Sequence, residues 1–137
     1  MAITNYGELK TAINTWVAET LTATADDLVT LAHDYINDSL RHRRMITNVD
    51  LSPTAGVFTV PTDYLQWENV VELASQRRPL KYLTVPQADM MYPTRQSGSG
   101  FHFSISGNNM RVYPTITNDI ELTYYAELAV LSADEDT

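Results

Sequence analysis

The spacing of apolar residues changes once along this chain, and that change limits what it can fold into. Up to residue 40 the period is helical. Leu28, Leu31, Ala32, Tyr35, Ile36 and Leu40 fall at i, i+3, i+4, i+7, i+8 and i+12, which lines one face of an α-helix. After Arg44 the period shortens to two: Met45, Thr47, Val49 and Leu51 alternate with Ile46, Asn48 and Asp50, as in a half-buried strand. Helices first and antiparallel strands after predict an α+β fold, an N-terminal two-helix segment followed by a small antiparallel β-sheet region with one short helix.

The 137 residues suit a single domain with its own core. Its parts read as a helical part over 1–44, a β part over 45–129 and an acidic tail over 130–137. Asn5 with Glu8 three residues later is a capping-box-like start, and Leu9, Ile13, Trp16 and Val17 give the first helix its apolar stripe. Residues 20–24 read as a connector, with Thr24 and Asp26 as caps of the second helix. In the β part, Ser52-Pro53-Thr54-Ala55-Gly56 is turn chemistry, so Val57–Val60 is expected to return as the hairpin partner of Met45–Leu51. Trp67–Leu73 and Pro79–Leu83 read as a second pair across residues 75–78. Thr84 with Gln87, and Pro86 between them, open a short helix ending near Tyr92. A Gly/Ser-rich loop, expected to be mobile, runs from Pro93 to Gly100. Phe101–Ser106 and Met110–Tyr113 flank Gly107-Asn108-Asn109 as a hairpin, and Ile120–Ala129 is the final strand.

Charge is uneven. Residues 1–40 carry a net −5, residues 41–111 a net +3, and residues 112–137 a net −6 with no Lys or Arg. General nucleic-acid binding needs counterion-releasing basic surface, so this layout disfavours it and suits a subunit whose faces meet different neighbours. An ordinary acidic domain explains the totals equally well. With no cysteine, disulfides, thiolate metal sites and Cys nucleophiles are excluded. The start, Met1-Ala2-Ile3-Thr4-Asn5, has no secretory character, and no apolar stretch approaches the roughly 18 residues of a membrane span. The expectation is a soluble chain made in the cytoplasm.

Few residues invite chemistry. His33 and Asn37 stand four apart on the second helix beside Asp34 and Asp38, a spacing that brings ligands together, but a zinc site needs more nitrogen or sulfur donors. Asp26-Asp27 reads as acids favouring a helix N-terminus over an acid/base pair. No phosphate-binding loop, nucleophile elbow or metalloprotease motif is present, so no catalytic, cofactor or metal site is expected. Arg41-His42-Arg43-Arg44 closes the second helix. Local capping accounts for one or two of these charges, leaving an acidic protein partner, or more weakly DNA phosphate, for the rest. Arg77 and Arg78 join this candidate interface. So does Tyr125, because adjacent Tyr124 and Tyr125 on a strand face opposite sides.

The order of several short stretches carries more. Tyr6-Gly7-Glu8-Leu9-Lys10 opens the first helix, and Asp27-Leu28 through Ile36-Asn37 to Leu40-Arg41 form the second. Pro61-Thr62-Asp63-Tyr64-Leu65, Leu80-Lys81-Tyr82-Leu83-Thr84, Tyr92-Pro93, Arg111-Val112-Tyr113-Pro114 and Leu122-Thr123-Tyr124-Tyr125-Ala126 follow. In this order, over about residues 5–130, the chain resembles the head-to-tail adaptor (connector) proteins of tailed bacteriophages, of the tail tubular protein A-like kind. The resemblance implies a structural virion protein: a twelvefold homo-oligomer ring under the portal protein, extending the DNA channel and carrying tail or nozzle proteins. It implies no enzyme activity, no cofactor and no membrane. Double-stranded DNA would pass without specific binding, and the acids Glu8, Glu19, Asp26, Asp27, Asp34 and Asp38, with Asp119, Glu121 and Asp134-Glu135-Asp136, could line the channel or simply solvate the outside. The virion neck would be its place after assembly in the host cytoplasm. Related proteins continue past the Tyr-Tyr-Ala strand into further helices, so the portal-docking element is expected to be short or replaced here. Another tail-completion or neck protein, or a small nucleic-acid-binding module, remains the alternative.

Overall fold

Two compact units emerge, one formed by residues 1–41 with 128–137 and the other by His42–Glu127. The computed structural model describes residues 2–17 and 22–133 of the chain. The β unit is thus inserted between the two stretches of the helical unit.

The helical unit holds α1 (Tyr6–Val17) and α2 (Thr22–Ser39). Asn5 Oδ1 accepts the Glu8 N–H at 2.9 Å, the expected cap. The return arm differs from a capping box: the Glu8 carboxylate reaches one residue further back and accepts the Thr4 N–H at 2.7 Å and its hydroxyl at 2.8 Å. These bonds to Thr4 favour the anion and hold the Glu8 carboxyl below its ordinary value. Tyr6 is buried, and its hydroxyl donates to Asp26 Oδ1 at 2.9 Å, joining the two helices. Lys10 Nζ lies 4.5 Å over the Tyr6 ring and 3.9 Å from Asp26 Oδ1.

At the other end of α2, His33 and Asn37 hold a segment distant in sequence. Asn37 is buried, and its Oδ1 accepts the Leu128 N–H at 3.1 Å. His33 Nε2 lies 3.2 Å from the Ala129 carbonyl and His33 Nδ1 lies 3.3 Å from Asn37 Nδ2. A carbonyl only accepts, so Nε2 carries the proton and Nδ1 accepts from the amide. Both ring nitrogens are engaged in holding the C-terminal segment to α2. The last strand therefore stops at Ala126, three residues short of expectation.

The β unit opens with a 3₁₀ turn, Arg43–Met45, where the sequence suggested a strand beginning at Met45. Then come β1 (Ile46–Leu51), β2 (Val57–Thr59), β3 (Tyr64–Leu73), β4 (Arg77–Pro79), β5 (Lys81–Tyr82), α3 (Val85–Met91), β6 (His102–Ser106), β7 (Asn109–Tyr113) and β8 (Ile120–Ala126). They build two four-stranded sheets, β1-β8-β3-β4 and β2-β7-β6-β5. Phe58, Phe103, Met110 and Val112 from one sheet pack with Val70, Ile120, Leu122 and Tyr124 from the other in a single core. Strand alternation supplies this directly, since residues two apart share a face.

The expected β1–β2 hairpin does not form: β1 pairs with β8, and β2 with β7. The turn itself is real. Ala55 at φ 52° and Gly56 at φ 77° close a Thr54–Val57 bridge, after which β2 joins the opposite sheet and buries Phe58. The β6–β7 hairpin follows the sequence reading, but β3 pairs with β4, which takes Arg77 and Arg78 from the expected turn, and the expected partner strand supplies β5, which pairs in parallel with β6 in the other sheet. In α3 the Thr84 N–H donates to Gln87 Oε1 at 3.1 Å. Buried Glu72 accepts the Gly100 N–H at 3.2 Å and Asn118 Nδ2 at 2.9 Å. A Cβ on Gly100 would stand 2.7 Å from Val112 Cγ1, so the close approach needs glycine there.

Candidate assembly surfaces

Of the stretches that give the chain its resemblance, those that lie in the β unit meet one another in space. Pro61-Thr62-Asp63-Tyr64-Leu65 forms a turn, with the Tyr64 N–H donating to the Pro61 carbonyl at 3.2 Å. From it Asp63 grips the end of β8 twice. Its Oδ1 accepts the Tyr124 hydroxyl at 3.0 Å, and its carbonyl accepts the Glu127 N–H at 2.7 Å. Burial first, and then the carboxylate, push the Tyr124 hydroxyl up to about 12. The Tyr64 ring lies 5.9 Å from that of Tyr124, and its hydroxyl accepts the Trp67 N–H at 2.9 Å beside an irregularity in the β3–β8 ladder. Tyr82 stacks on Trp67 at 5.6 Å, and Tyr92 on Tyr113 at 5.6 Å. These short motifs are contacts between segments, a role no single stretch reveals.

The apolar stripes of the helices are only partly used. Trp16 is 80 % exposed, Leu31 67 % and Tyr35 72 %, with Val17, Leu28, Ile36 and Leu40 also exposed. Among the described residues of the helical unit, the buried positions are Tyr6, Ala25 and Asn37. A scattered exposed leucine means little, but here the exposed apolar residues run along two helices.

The cationic candidates separate. Arg41 ends the helical unit, and its Nη1 donates to the Asn37 carbonyl at 2.6 Å and the Leu40 carbonyl at 2.8 Å, capping α2. Arg43 and Arg44 belong to the β unit, exposed on the 3₁₀ turn and without an ion pair among the described residues. His42 Nδ1 accepts the Arg44 N–H at 3.3 Å. Arg77 pairs with Glu121. The Arg78 guanidinium sits 5.1 Å over the Phe101 ring, while its Nη1 is buried without a hydrogen bond. Tyr125 lies half-buried on the face of β8 opposite Tyr124.

Of the acids, Glu8 and Asp26 are engaged at the helix starts as described. Asp27, Asp34 and Asp38 are exposed on α2, and Asp119 is exposed before β8. Glu19 and Asp134-Glu135-Asp136 lie outside the described residues. Among the described residues no three metal-ligating side chains converge, and no helix is long and apolar enough to cross a membrane.

No curated protein matches the chain. A sequence model of the SU10 adaptor protein family does, over residues 4–137, spanning the three α-helices and every strand just described. The chain belongs to the SU10 adaptor protein family, the structural adaptors of bacteriophage particles.

Proposed function

We propose that this protein is a head-to-tail adaptor of the tail tubular protein A-like kind, acting as a ring of copies below the portal. The exposed apolar face of α1 and α2 carries this reading. A helical pair that covers so little of its own stripe needs a protein neighbour, and permanent interfaces bury such surface. The twelvefold number comes from the resemblance. The ring extends the DNA channel and gives tail or nozzle proteins their platform. In it Arg41, Arg43, Arg44, Arg77, Arg78 and Tyr125 meet neighbouring chains. The exposed acids of α2, Asp27, Asp34 and Asp38, keep the passing DNA backbone from binding, because each phosphate–cation contact would add salt-dependent affinity. Reconstruction of the particle neck tests the reading. A closed ring between portal and tail is expected; one copy, or an open filament, would refute it. A lumen ringed by Arg43, Arg44, Arg77 and Arg78 would instead favour a DNA-gripping protein.

A further inference from the structure

Strands β6 and β7 turn Phe103, Met110 and Val112 inward. Their other face pairs Ser104 with Arg111 and Ser106 with Asn109, and residues opposite each other on a sheet share a side. Over that face opens a cavity of about 250 Å³, lined by Arg95, Arg111, Ser104, Ser106, Asn109 and Tyr113 among others. Its floor is built rather than incidental. Ser104 and Tyr113 are each 3 % exposed, with their hydroxyls 3.1 Å apart. Tyr92 holds the Tyr113 ring from the side by stacking, and is itself fixed by its hydroxyl, 2.8 Å from His102 Nδ1. Two hydroxyls bonded to each other use one proton and keep one to donate outward.

The lining contains two guanidiniums and no carboxylate. Arg95 lies 3.6 Å from Asp89, with both side chains half exposed. Arg111 forms no ion pair among the described residues. This is the chemistry of a carboxylate acceptor: fork-shaped charged donors above a fixed hydroxyl donor. At 250 Å³ the space falls below the roughly 300–1,000 Å³ of small-molecule sites and suits a few side chains of a peptide.

We propose that this cavity receives the acidic run Asp134-Glu135-Asp136 of a second copy. Charge complementarity selects the occupant: those three consecutive acids are the densest charge run of a chain that carries net −8. The second copy rests on the ring reading above, whereas the acceptor chemistry of the cavity does not.

The test uses the full chain and a labelled peptide of residues 130–137, titrated by fluorescence anisotropy at two salt concentrations. Two receptors are compared, the wild-type chain and a chain with D134N, E135Q and D136N. Saturable binding to both is expected, weaker at the higher salt and reduced at least about tenfold by Arg111→Glu. Lys81→Glu, away from the cavity, should leave it unchanged. Arg95→Glu, in an exposed loop, carries the comparison if Arg111→Glu does not fold. No binding, equal binding by Arg111→Glu, or equal binding of a second peptide of residues 130–137 carrying D134N, E135Q and D136N would overturn the proposal. Binding to the neutralised chain alone would place each tail in its own copy's cavity and overturn the second-copy occupant. Arg111-dependent binding of a short DNA duplex in preference to the peptide would overturn it in favour of nucleic acid. Failure here leaves the ring standing, and absence of a ring leaves a positive peptide result standing.

Discussion

Replacing Tyr124 by Phe removes one hydroxyl and nothing else from the contact between the Pro61–Leu65 turn and β8. The ring stays in the core, so no cavity opens, and the loss is the hydrogen bond to Asp63 at 3.0 Å. Bonds to charged groups contribute about 1.5–3 kcal/mol. Asp63 is exposed and can take a water in exchange, which places the expected loss near the low end, about 1–2 kcal/mol. For a chain of this size that lowers Tm by about 3–6 °C. The pH dependence makes the test specific. The hydroxyl titrates at about 12 in the folded chain and near 10 when unfolded. A group whose folded value is raised contributes fully below its unfolded value. That contribution is lost as pH rises from about 10 through about 12, and the gap corresponds to about 3 kcal/mol. Urea unfolding of wild type and Tyr124→Phe, followed from pH 8 to pH 11.5, should show the wild type more stable at pH 8. The difference should shrink above pH 10 and reverse toward pH 12. Equal stability at pH 8, or a difference that does not change with pH, would refute the role assigned to this contact.

Phe103→Ala should cost about 3–5 kcal/mol in chemical unfolding, because a fully buried ring at the centre of the shared core leaves a cavity. Trp16→Glu and Leu31→Glu should change Tm little, within about 0.5 kcal/mol, since both side chains lie largely in water. Incorporation of those variants into particles should fall sharply, as measured by their content in purified virions. Reversing Arg43 and Arg44 to Glu should likewise spare Tm and reduce incorporation; a large stability loss with normal incorporation would make the cluster structural. A chain stopped after Glu127 should keep the β unit's cooperative unfolding but lose helical circular dichroism, because Leu128 and Ala129 no longer meet Asn37 and His33.

What the sequence made legible was what is encoded locally. Ile120, Leu122 and Tyr124 alternate and are buried, Gly107 turns the β6–β7 hairpin at φ 57°, and Gln87 caps the Thr84 N–H. Partners far along the chain were not legible. The turn at Ala55-Gly56 looked like a hairpin because it is a tight turn. Which sheet Val57–Thr59 then joins depends on where Phe58 is buried, and the period of the strand does not say. The same limit left open what the helical stripes face. Periodicity identifies an apolar stripe on α1 and α2 but is identical for a stripe facing the chain's own core and one facing another molecule. The helical spacing of His33 and Asn37 was visible, but their partner segment, some 91 residues away, was not.

The insertion of the β unit into the helical unit sets an order of completion during synthesis. The β unit's residues, His42–Glu127, are all made before Leu128 leaves the ribosome. Its two sheets and their core can close on the nascent chain. Asn37 and His33 must wait for Leu128 and Ala129, so α2 acquires this brace only after the whole β unit has been made. The face bearing Leu31 and Tyr35 belongs to that late-finished element. A chain made only as far as Glu127 therefore holds every residue of its β unit but lacks the brace of α2.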